Sequence, residues 1–505
     1  GSGGSIWLVA GTITGSGTIA ANGGDGGMEG YNSRDGGSGG GGRIAIYYTT
    51  NTHSGTVSVY GSSMNAAHIS TSGTVYDKDT DDSYGSLTIN NNGNNSILST
   101  PLIDGTYNFK GFTASGLAEV LLSASDIINT ETITLSASST LLNTDAAITV
   151  TSSFTISNGA QYEQSETASL TATAASFTAA AGAGPTFWDI HKDGSTPTFT
   201  SATIASGATL THSAQATAHT YSLKLAVSGN MTVTGDINVN DRGYRYGQGP
   251  GTGGTKGQYS TDGGASYGGL GTLGYGIAAG VVYGYQYAPI DIGSGGGGST
   301  GSGSGGGAIK LIAGGIFTVN GSILSSGGDA GSSTGDAGGS GGSIWIEGET
   351  ITGSGTIAAN GGDGGVEGYS SRDGGGGGGG RMIIYHTLTE SLDGTITVTG
   401  GNGNNNGMAS DGTLNRYATY GELVSSPYNT EDSAVILEGI VWIEDATLPA
   451  TTTVTLYLRT GSNQANLLAA SWSEIASSTS SGLLTTGATK DTGTVTVAST
   501  TLPAA

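Results

Sequence analysis

The residues best spaced for chemistry are carboxylates. Asp77, Asp79 and Asp81 stand at alternate positions in D-K-D-T-D-D, as the oxygen ligands of calcium loops do. The run departs from an EF-hand: Asp82 stands where glycine is needed, and Thr88 where a bidentate glutamate belongs. Calcium at Asp77, Asp79 and Asp81 is the metal chemistry on offer, and a solvated acidic turn is the reading favoured. The N-G-G-D-G-G motifs at Asp25 and Asp363 have the residues of calcium-binding β-roll repeats without their nine-residue period.

Aromatic and basic residues suggest binding instead. Residues 243–290 carry eight tyrosines, among them Tyr244, Tyr246, Tyr283 and Tyr285, whose flat amphipathic rings suit a sugar or a partner surface. The plainer reading, and the favoured one, has these rings covering glycine backbone inside a long loop that needs a core of its own. Arg34 and Arg372 lie in the motif E-G-Y-x-S-R-D at 29–35 and 367–373. They can read a carboxylate or sugar on a partner, or tie down their own loops; the second is preferred. For catalysis the best local cluster is Trp188, Asp189, His191, Lys192 and Asp193, expected in a loop. A β-helix enzyme acting on acidic polysaccharide needs clustered carboxylates or basic residues, and 15 Lys/Arg are spread over 505 residues here. A non-catalytic protein without cofactor is therefore expected, with a polysaccharide-degrading enzyme as the remote alternative.

What positions such residues follows from composition and periodicity. Glycine supplies 96 of 505 residues, yet there is no Gly-X-Y period and there are only 8 prolines, which excludes collagen. Net charge is −23 with 10% charged residues, a surface that repels nucleic acid and anionic membranes. Cysteine is absent, which excludes disulfides and thiolate metal sites. There is no apolar stretch of membrane-spanning length.

The strongest signal is duplication. Residues 1–48 align without gaps with 339–386, identical at 38 of 48 positions. A shorter unit lies within. Residues 222–243 align with 308–329, and 343–363 and 381–401 follow the same plan, at spacings of 86, 35 and 38 residues. Each unit has an alternating strand (Ile309 and Leu311; Ile344 and Ile346), a turn, a second strand and a glycine-rich loop. Period two argues strands, and a two-strand unit must stack on its neighbours to bury its apolar face. An all-β, right-handed parallel β-helix with long Gly-rich loops meets these demands; a string of small β-sandwiches is the runner-up. The glycine tracts 293–307 and 374–380 are expected to pack in order.

Several segments support a resemblance: Y-S-L-K-L-A-V-S-G-N-M-T-V-T-G, G-A-S-Y-G-G-L-G, G-S-G-G-G-G and G-G-G-G-R-M-I-I-Y. They resemble very large glycine-rich β-helix surface proteins, adhesin-like, of bacteria and archaea. The run W-I-E…L-P-x-x-T-x-V…L-R-T-G…S-W resembles β-sandwich modules that accompany them. The expected organisation is repeat copy 1 at 1–85, plainer coils at 86–221, coils with Gly/Tyr-rich loops at 222–430 (copy 2 being 339–430), and a β-sandwich at 431–505, anchored by Trp442 and Trp472. The resemblance implies secretion to the cell surface and a structural or adhesive role. Expected partners are further copies joined end to end through the N-terminal coil of Ile6 and Leu8, or a glycan or cell surface; nucleic acid and membrane insertion are not expected.

Overall fold

The computed structural model describes residues 1–27, 36–62, 70–94, 98–102, 104–255, 260–298, 300–331, 335–366, 373–403 and 407–417, and the backbone of four later strands. Two compact units result, Gly1–Tyr420 and Gly421–Ala505. Among the described residues the protein is all-β, without a helix.

The first unit is built on one large, mostly parallel sheet of 28 strands. Each strand pairs with its counterpart in the next tier of chain. Ser343–Gly353 pairs in parallel with Ala308–Ala313 on one side and Arg381–Leu392 on the other. Ile309 stands opposite Ile344 and Leu311 opposite Ile346, and all four are buried, as their alternation predicts. A single core continues through the tiers from Leu87 to Ile384. Each fully buried aliphatic or aromatic side chain in it contributes roughly 1.5–3 kcal/mol.

The stack is not uniformly parallel, which departs from the expectation of parallel coils throughout. Strand Thr74–Asp79 pairs in parallel with Arg43–His53, but antiparallel with Ser86–Asn90. Directly paired residues share a face. Tyr76 is opposite Ala45 on one side and Leu87 on the other. Leu87 belongs to the long core, whereas Ile44 and Ile46 form a separate core with Ala21 and Val59. Strand direction and buried face therefore reverse together at this hairpin. The hairpin was invisible in the alternation, because Tyr76 serves the outer face of one part and the inner face of the next.

The glycine tracts are ordered. Extended glycine segments lie side by side with main-chain bonds such as Gly341 N to Gly378 O (3.0 Å) and Gly377 N to Gly362 O (2.9 Å). A methyl group at Gly377 would overlap the Gly339 carbonyl, so only glycine permits this approach.

In the second unit the four described strands form two antiparallel pairs. Ile440–Glu444 pairs with Asp491–Val495, and Val454–Leu458 with Ser473–Ser478. Trp472 lies outside the described residues.

Candidate functional site

The three aspartates do not converge. Asp77–Asp82 turns out to span the start of the hairpin between Thr74–Asp79 and Ser86–Asn90. Asp77 accepts the Tyr48 hydroxyl at 2.8 Å, Asp79 accepts the Asp81 backbone N–H at 3.0 Å, and Asp82 pairs with Lys110 at 2.6 Å. Burial pushes the Asp77 carboxyl up and the Tyr48 phenol up to about 12. Asp77, Asp79 and Asp82 are thus engaged separately, and the group of His, Asp and Glu that does converge among the described residues lies elsewhere.

That group is Glu166, His191 and Asp193, whose ligand atoms lie within 4.8 Å of one another. His191 and Asp193 were singled out in the sequence; Glu166, in a preceding turn, was not. A mixed nitrogen and carboxylate set suits a transition-metal cation better than calcium. Lys192 competes for it by pairing with Asp193 at 2.5 Å, which holds that carboxyl below its usual range.

The rest of the cluster weighed for catalysis is tied into the fold. Trp188 and Asp189 lie in strand Thr186–His191 and not in a loop. Trp188 is fully buried and donates Nε1–H to Lys224 O at 2.8 Å. Asp189 is also fully buried, where it accepts from Ser213 N (2.6 Å), Ser213 Oγ (2.6 Å) and Gln161 Nε2 (2.7 Å). Burial pushes its carboxyl up to about 6 despite these donors. Nearby, buried His212 places Nδ1 2.8 Å from Ser213 O and accepts the Ala308 N–H on Nε2 at 3.2 Å. These partners fix the neutral tautomer with its proton on Nδ1, and burial lowers the pKa to about 4. A wet approach to either group is lacking, so the pair braces adjacent tiers.

The tyrosines divide. Tyr283 turns its hydroxyl inward, donating to Ile292 O (2.6 Å) and accepting from Ser294 Oγ (2.9 Å). Its ring lies 4.8 Å from that of fully buried Tyr267. Its hydroxyl is turned into the loop, in line with the favoured reading of these rings as the loop's own core. Tyr285 is half-buried with its ring 5.5 Å from Tyr287, and half-buried Tyr244 is held by main-chain bonds to Gly293 and Gly305. Tyr246 lines an open cleft, about 410 Å³ in volume, with Arg245 and Gln248. Arg245 donates to its hydroxyl at 2.7 Å, with the guanidinium carbon 4.4 Å from the ring centroid. An aromatic ring beside an exposed guanidinium suits a hydroxyl-rich or anionic ligand. Arg34 and Arg372 lie outside the described residues.

Residues 262–292 have a second role, missed in the sequence. They cover the outer face of repeat copy 2. Arg381 donates from Nε and Nη2 to Tyr283 O (3.1 and 2.8 Å), and Tyr267 shares a 2.7 Å hydrogen bond with Ser343 Oγ. Trp345, Ile383 and Tyr385 form a small core beneath them. The available signal was the arginine that follows the glycine tract in both copies, in G-G-G-G-R-I and G-G-G-G-R-M.

Compared with known proteins, the chain matches no family model, no curated protein and no solved structure.

Proposed function

We propose that the chain is a non-catalytic structural module of an extracellular appendage or filament of a bacterial or archaeal cell. Its first unit is read as a right-handed parallel β-helix and its second as a β-sandwich. The observation that carries this reading is the mostly parallel pairing from tier to tier, turned antiparallel at the hairpin of Thr74–Asp79 with Ser86–Asn90 and between Thr186–His191 and Tyr221–Val227, and extended outside the core by a glycine main-chain lattice. Such a body derives rigidity and length from backbone pairing and depends little on any one side chain. The simultaneous reversal of direction and buried face at Tyr76 keeps one winding sense on both sides. That agrees with two nearly identical copies folding alike, and the crossover rule favours the right hand.

End-to-end association is proposed through strand Ser5–Gly15, which pairs with Arg43–His53 on one edge only among the described residues. A free strand edge is a template for another strand. Light scattering of the purified chain over a concentration series tests this. Mass should grow with concentration, and a constant monomer mass would refute assembly by this edge.

The second reading, an adhesin for glycans or a neighbouring cell surface, rests on the Arg245–Tyr246 cleft. A glycan array with wild type and Tyr246→Ala separates the two, since only an adhesin loses a defined set of sugars.

A further inference from the structure

The two copies of the duplication have similar apolar interiors, with Leu8 and Ile44 in place of Ile346 and Met382, and different exteriors. Ser5 pairs with Arg43 as Ser343 pairs with Arg381, and Trp7 with Ala45 as Trp345 with Ile383. The glycine lattice also repeats: Gly36 N bonds Gly27 O as Gly374 N bonds Gly365 O, and Gly42 N bonds Ala21 O as Gly380 N bonds Ala359 O.

On the outer face the match ends. Trp345 is 8% exposed and Trp7 72%. Arg381 and Ser343 are buried, whereas Arg43 and Ser5 are exposed. In copy 2 three main-chain donors of the glycine tract bond the covering segment: Gly375 N to Asp262 O (2.9 Å), Gly376 N to Thr272 Oγ1 (2.8 Å) and Gly378 N to Ala265 O (2.8 Å). Their counterparts Gly37, Ser38 and Gly40 have no acceptor for their N–H among the described residues. Beside Gly37 there is open space, where Gly375 meets Thr272.

We infer that the outer face of copy 1 is a docking surface for a partner polypeptide with a tyrosine- and glycine-rich segment of the kind seen at 262–292. The chain itself displays the bound form of such a segment on an almost identical receptor. Two main-chain carbonyls meet the arginine, a tyrosine hydroxyl meets the serine, and two carbonyls and a threonine hydroxyl meet three main-chain donors of the tract. Copy 1 presents Ser5, Trp7, Arg43 and Tyr47 in the same register, with Ala45 in place of Ile383 and Ser38 in place of Gly376, and three N–H groups without an acceptor among the described residues. The mode is addition of extended chain to exposed backbone donors, with side-chain pockets giving specificity. This inference does not depend on the structural reading above.

The test uses the full chain and a fluorescent peptide of sequence 260–292, followed by anisotropy. Saturable binding is expected, weakened at least tenfold by Trp7→Ala and by Arg43→Ala, with a scrambled peptide inactive. Trp7 and Arg43 are exposed, so both variants should keep the wild-type melting temperature, which confirms that they fold. Absence of saturable binding to wild type overturns the inference. So does binding that ignores both substitutions and is lost in Arg381→Ala, which would mean exchange with the resident segment. Self-association abolished by Trp7→Ala but not competed by the peptide would assign the face to a second copy, and equally refute it.

Discussion

Tyr76 stands opposite Ala45 in one ladder and opposite Leu87 in the next, and so joins two cores that lie on opposite faces of one sheet. Its hydroxyl accepts the Gly85 N–H at 2.9 Å, closing the hairpin, and its ring continues a row from Trp7 and Tyr47 to Phe109. Replacing it by alanine should cost about 2–4 kcal/mol, in the range of large-to-small core changes. It should also uncouple residues 1–75 from the rest. Calorimetry is expected to give an early additional transition for Tyr76→Ala; a single unshifted transition would show that the junction is not a mechanical link.

The glycine lattice makes a sharper demand. Gly377→Ala forces a methyl into the Gly339 carbonyl, and overpacking of this kind costs about 1–3 kcal/mol. Gly11, in strand Ser5–Gly15, has open space at the same point and an ordinary φ. Gly11→Ala should be neutral or stabilising by up to about 1 kcal/mol through the unfolded chain. Urea melts of the two variants check the contrast, and equal effects would mean that the tracts do not pack.

How much was legible in the sequence follows from these residues. Ile309, Leu311, Ile344 and Ile346 could be placed because period two reports a strand with one buried face. Trp345, Ile383 and Tyr385 could not, since a strand covered on both faces loses its alternation. Asp189 and His191 drew notice as chemistry-bearing neighbours, but whether a carboxylate faces water or Ser213 depends on chain 24 residues away. Glu166 escaped because its partners are brought to it only by stacking. Nothing local marked the reversal at Tyr76, because each strand of that hairpin alternates correctly by itself.

Acid should destabilise the protein through buried histidine. His212 titrates at about 4 in the fold, and His219, bonded to Ser222 Oγ at 2.9 Å, at about 3, both lowered first by burial. The unfolded chain binds these protons near pH 6.5, so the folded state carries fewer. Stability is then full above pH 6.5 and falls as pH drops toward 4, by on the order of 3 kcal/mol for His212. Asp189, raised to about 6, acts oppositely: the fold holds its proton, so its contribution is present below pH 3.8 and is lost as pH rises to 6. The difference between wild type and His212→Gln isolates the histidine. The variant should lose less melting temperature between pH 7 and 5; an equal loss would place the acid sensitivity elsewhere.

Calcium chelation should leave the Asp77 hairpin unmoved. Asp77, Asp79 and Asp82 already accept from Tyr48, Asp81 and Lys110. EDTA is expected to leave the melting temperature of wild type unchanged. Asp77→Asn, which weakens a hydrogen bond to a charged acceptor, should lower stability by about 1–2 kcal/mol. An EDTA effect that disappears in the triple Asn variant of Asp77, Asp79 and Asp81 would restore the calcium reading.

The proposal of a structural, end-to-end module is tested most directly by electron microscopy of the purified chain at rising concentration. Unbranched rods that lengthen with concentration are expected, and shorter rods when the free edge is blocked by Thr12→Pro in strand Ser5–Gly15. Uniform single particles at every concentration, together with cleavage of a polysaccharide by the same preparation, would contradict it.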